Sequence, residues 1–196
     1  MKQLLATFLT TGSILFSTAY AHAAVSNSTA AELACHRIER LILLKKANPG
    51  FQNLIQSVSV EALPPAGPGK PAFKTTTIQQ ADPGKRGPEL EIILDEKGRA
   101  LTANEFPGTA AQAPFKWPKL DPLTLLEKAL HYIEDNSKKT EVTPFSAKLR
   151  SISIKPGSVN GTAVAKVEVT SFDSPQKLVL TVSADEGKVL KSSVEN

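Results

Sequence analysis

Cysteine, tryptophan and methionine each occur once in these 196 residues, tyrosine twice and histidine three times. The single cysteine, Cys35, cannot close an internal disulfide, so an exported form of the chain must be held together by its core. One Cys and the two His beyond the leader, His36 and His131, cannot supply the clustered Cys/His ligand set of a structural zinc site, and no segment carries the alternating oxygen ligands of a calcium loop. Charge of one sign is also scarce. The net charge of +4 is mild and the basic pairs Lys45-Lys46 and Lys85-Arg86 are short, which excludes the clustered basic face expected of a nucleic-acid binder. No apolar run reaches the roughly 20 residues that a membrane-spanning helix needs.

The N-terminus reads as a leader. Lys2 gives a short positive start, Leu4 to Phe16 is mostly apolar, and Ala21-His22-Ala23 is a small-x-small cleavage site. Residues 1–23 are therefore expected to be a signal peptide cut between Ala23 and Ala24, with Ala19-Tyr20-Ala21 as a second choice. Cys35 lies too far beyond the cut to be a lipid-attachment cysteine. The expected destination is the periplasm or the exterior, without a stable membrane anchor.

What the chain does contain is a repeat. Phe51 to Val60 (FQNLIQSVSV) returns 94 residues later as Phe145 to Ile154 (FSAKLRSISI). Ile38 to Ile42 matches Leu126 to Leu130 at a spacing of 88, and Gly98-Arg99-Ala100-Leu101 matches Gly187-Lys188-Val189-Leu190 at 89. Similar spacings in the same order point to one unit written twice.

Each copy reads helix, long strand, strand, strand, turn, short strand. Thr29-Ala30-Ala31-Glu32 has capping-box spacing, and Ala31, Ala34, Cys35, Ile38, Leu41 and Ile42 recur on one helical face, with Asn48-Pro49-Gly50 ending the helix. Residues 51–62 and 145–154 alternate as half-buried strands. Leu63 to Pro71 is too rich in proline to continue a sheet. Ala72 to Gln80, Leu90 to Leu94 and Arg99 to Ala103 complete the first set. Asp121-Pro122 starts the second helix with an N-cap and a proline at N1. A loop over Pro156 to Gly161 and strands over Thr162 to Ser171, Lys177 to Val182 and Lys188 to Val194 follow.

The expected fold class is α+β: two repeated lobes, each one helix packed on an antiparallel sheet of three to four strands. The expected organisation is residues 24–105 as the first lobe, 106–120 as a Pro-rich linker and 121–196 as the second lobe.

The closing turn Ala184-Asp185-Glu186-Gly187-Lys188-Val189-Leu190, with a looser copy at Leu94 to Leu101, resembles the last hairpin of the PepSY domain. The tandem order is also similar in outline to the secreted beta-lactamase inhibitor proteins. Either resemblance implies an extracytoplasmic binding or protease-inhibitory role without catalysis, and neither supplies functional residues.

A search for chemistry agrees. Beyond the leader only His36 and His131 remain as histidines, and His36 points about 100° away from its helical neighbour Cys35. No catalytic, cofactor-binding or metal-binding residue is assigned, no cofactor is expected, and the chain is read as a non-enzyme. Candidate partner-binding residues are Phe106, Phe115 and Trp117, set among Pro107, Pro114 and Pro118. Proline stiffening reduces the entropy lost on binding, and Trp is favoured at interface hot spots. Trp117 has a second reading, as a plug in the seam between the lobes.

The expected function is that of a secreted binding protein for another protein, an inhibitor or assembly factor. The alternative is a carrier holding a small apolar molecule or lipid between helix and sheet. Exposed strand edges are open to pairing with a second copy.

Overall fold

The computed structural model describes residues 25–196; the expected signal peptide and the expected cleavage residues Ala23 and Ala24 lie outside the described residues. Helix α1 (Asn27–Leu43), the helical turn α2 (Gly50–Asn53) and strands β1 (Ile55–Ala62), β2 (Pro71–Gln79), β3 (Glu89–Asp95) and β4 (Ala100–Phe106) form the first half. Helix α3 (Pro122–Asp135), the turn α4 (Thr143–Ala147) and strands β5 (Leu149–Val159), β6 (Thr162–Ser171), β7 (Lys177–Ser183) and β8 (Val189–Glu195) repeat that order in the second.

The halves do not form separate lobes, contrary to the expectation of two sheets. All eight strands make one antiparallel sheet in the order β4-β3-β2-β1-β5-β6-β7-β8. The junction is β1 against β5, with Ser57 opposite Ser153, Val58 opposite Ile152 and Ser59 opposite Ser151. Each is the first strand of its half, so pairing them satisfies two edges that would otherwise expose unpaired backbone groups. α1 and α3 lie side by side on one face, α1 over β1 to β3 and α3 over β5 to β8. Between them and the sheet, Ala34, Ile38, Val58, Ile92, Leu126, Leu130, Ile152, Val169 and Leu180 are all fully buried. The helices thus share one core, and the opposite face of the central strands carries Ser57, Ser59, Ser151 and Ser153.

Several boundaries depart from the sequence pattern for local reasons. α1 begins three residues before the expected capping box, because Ser26 is the N-cap: its Oγ accepts from the Thr29 N–H. Residues 50–53 and 143–147 are helical rather than extended. In each copy a buried aromatic and the first inward residue of the strand are four apart, Phe51 with Ile55 and Phe145 with Leu149, the spacing of one helical face. β5 continues through Pro156, which lies beyond the β1–β5 ladder, and the turn narrows to Asn160-Gly161, both at positive φ. Asp95, at the turn between β3 and β4, is fully buried; it accepts from the Lys97 and Arg99 N–H groups and from Arg99 Nε at 2.7 Å.

The segment between β4 and α3 is irregular in conformation yet tied down. Its backbone donates from Thr109 to the Arg86 carbonyl and from Ala111 to the Gln80 carbonyl, so it is strapped across the loop between β2 and β3. Gly108 and Gly87 allow that approach, since a Cβ on Gly108 would meet the Gly87 carbonyl carbon at 2.3 Å.

Candidate functional site

The strap carries two of the three candidate aromatics into one site and leaves out the third. Phe106, expected in the linker, is the last residue of β4, opposite Glu89 and 45% exposed. Phe115 and Trp117 stand edge to face with ring centroids 5.0 Å apart. The Phe115 N–H donates to Gln80 Oε1, which fixes the strap just before Trp117. Trp117 packs partly against the core, and its buried indole N–H has no hydrogen-bond partner among the described residues. Phe115 remains 41% exposed.

Beside this pair lies an open cleft of about 350 Å³, bounded by Asn53 and Leu54 at the end of α2, by the strap, and by Asp121 and Pro122 at the start of α3. It sits where one half hands over to the other. Asp121 caps α3 by accepting from the Thr124 N–H at 2.9 Å, and its other oxygen accepts from Gln52 Nε2 at 3.3 Å, so α2 and α3 frame the cleft at a fixed spacing. Lys116 and Lys119 give the rim a positive character.

The ionisable side chains gather elsewhere, along the seam between α1 and α3. His36 Nδ1 is 3.2 Å from Glu127 Oε1, and His131 Nδ1 is 3.7 Å from Glu32. Burial pushes the Glu127 carboxyl up to about 7; Glu39, Asp121 and Glu32 add to the rise and Lys128 opposes it. Cys35, one residue from His36, is fully buried, and burial first, then the charges of Glu127, Glu32 and Glu39, hold its thiol well above the usual range. Sequence reading could not see Glu127 as unusual, because an isolated glutamate on an amphipathic helix reads as solvated.

A third cluster ties α1, α3 and α4 together. Glu134 Oε1 accepts from the hydroxyls of Ser26, Ser28 and Ser146. Burial raises the Glu134 carboxyl, but these hydrogen bonds outweigh it and hold the group below its ordinary value.

No family model matches the chain, and no curated protein matches it. Among solved structures it is similar to one described as a "putative lipoprotein" from Clostridium difficile 630, with 14% identity over 80% of this chain and 91% of that one and a TM-score of 0.30. Among the described residues no helix is long and apolar enough to cross a membrane.

Proposed function

We propose that this chain is an exported, non-enzymatic binding protein of the periplasm or exterior, acting on another protein as an inhibitor or assembly factor, with the Phe115–Trp117 cleft as its contact site. One observation carries the reading: a half-exposed aromatic is held rigidly against a second on a strap stiffened by Pro114 and Pro118 and fastened to the loop beneath it. An aromatic fixed in this way gives a partner a large apolar contact at little cost in conformational entropy. The likeness of the closing turns to PepSY domains supports the same class of role.

The alternative, a carrier with an apolar molecule between helix and sheet, would have to displace side chains such as Ile38, Leu130, Val58 and Ile152, which already fill that space with no exposure. Affinity capture from the exported fraction of the native host tests the proposal. The wild-type chain should retain a protein that Phe115→Ala does not, and the recovered protein should shift the emission of the sole tryptophan, Trp117. Equal recovery by both chains, or none at low salt, would refute it.

A further inference from the structure

Where α1 passes α3, donors from the two halves converge. His36 and Glu39 lie three residues apart on α1 and so share a face, and Glu127 comes across from α3. One ligand atom of each lies within 4.8 Å of the other two. The 3.2 Å between His36 Nδ1 and Glu127 Oε1 is close to the separation, about 3.3 Å, of two donors sharing a tetrahedral ion with bonds of about 2.0 Å. The Glu127 side chain is 15% exposed, and Oε1 itself is buried without a well-aligned hydrogen bond. A carboxylate oxygen withdrawn from water, with an imidazole nitrogen beside it as its one close polar neighbour among the described residues, favours a shared cation. On the far side of the imidazole, Nε2 faces Glu32 Oε1 at 3.9 Å, an acidic neighbour beyond hydrogen-bond distance.

We propose that His36, Glu39 and Glu127 bind one divalent transition-metal ion of the zinc class, with water completing its coordination. An imidazole with two carboxylates suits such an ion, whereas calcium and magnesium favour all-oxygen sets. Because one ligand comes from the second half and two from the first, the bound ion fastens α1 to α3. The sequence hid the site, since the ligands stand 88 residues or more apart across the seam and two of them are glutamates whose helical pattern reads as solvent-facing.

The test is zinc titration of the purified chain, stripped with chelator, followed by calorimetry and by thermal unfolding. One ion per chain should bind and raise the melting temperature. His36→Ala and the isosteric Glu127→Gln should each weaken zinc binding at least about tenfold and abolish the thermal shift, while His131→Ala retains both. Circular dichroism establishes that each variant is folded, and Glu127→Gln serves if His36→Ala is not. Absence of stoichiometric binding, binding that survives Glu127→Gln unchanged, or binding lost in His131→Ala instead would overturn the proposal.

Discussion

Val58 lies directly opposite Ile152 in the β1–β5 ladder, and the two residues are 94 apart in sequence, the same spacing that relates Phe51 to Phe145. A residue paired with its own repeat counterpart marks a local two-fold axis. The flanking pairs, Ser57 with Ser153 and Ser59 with Ser151, exchange places across it. The two copies are therefore joined symmetrically through one strand each, and both central side chains are fully buried under the helices.

That position predicts a large effect on the whole molecule. Ile152→Ala should cost about 2–5 kcal/mol, because the cavity opens where two halves of one core meet and neither can collapse independently. Urea unfolding followed by far-UV circular dichroism and by Trp117 emission measures it, and the two probes should shift together.

Thr77 supplies a change in the opposite direction. It is fully buried, its hydroxyl has no partner among the described residues, and through the ladder its counterpart in the second half is Val169, also fully buried. Thr77→Val should stabilise the fold by about 1 kcal/mol, since it removes an unsatisfied polar atom without changing shape. Thr75, whose hydroxyl donates to the Ile92 carbonyl at 3.2 Å, should not respond in this way. A thermal melt distinguishes the two variants.

Glu127 predicts a pH dependence. Its folded value of about 7 lies above the ordinary 4.5, so between these values the folded state holds a proton that the unfolded chain releases. Stability contributed by this group is complete below about pH 4.5 and declines as pH rises through 7. His36, Glu32 and Glu39 face it from α1, with Asp121 and Lys128 nearby on its own side. In chelator, Glu127→Gln should match the wild type near pH 4.5 and exceed it in melting temperature at pH 8.

Phe115 and Trp117 should separate binding from folding. Phe115→Ala, at a half-exposed site, should change stability by less than about 1 kcal/mol. Trp117→Ala removes a ring that packs partly against the core and should cost up to about 3 kcal/mol. Paired melts of the two variants check the difference.

The sequence made some features legible because they are local. The Asp121-Pro122 start of α3 stands where the N-cap rule puts it, and the alternation of Val58 and Val60 with Ser57 and Ser59 marks the correct inward face. The joining of the sheets was not legible. One polar and one apolar face would look the same on an outer strand as on a central one, and register between residues 94 apart leaves no local trace. The helical turns at Gly50 and Thr143 were hidden by apolar residues that suit either period. Of the aromatic candidates, proline content located the strap but could not separate Phe115 and Trp117, held by Gln80, from Phe106, carried off by an edge strand.

Hydrogen exchange at the β1–β5 junction tests the central claim most directly. If the two copies form one body, amides of residues 55–62 and 149–159 share a single opening free energy, and Ile152→Ala lowers protection in both halves equally. Loss of protection confined to residues 149–195, with 55–106 unchanged, would contradict it.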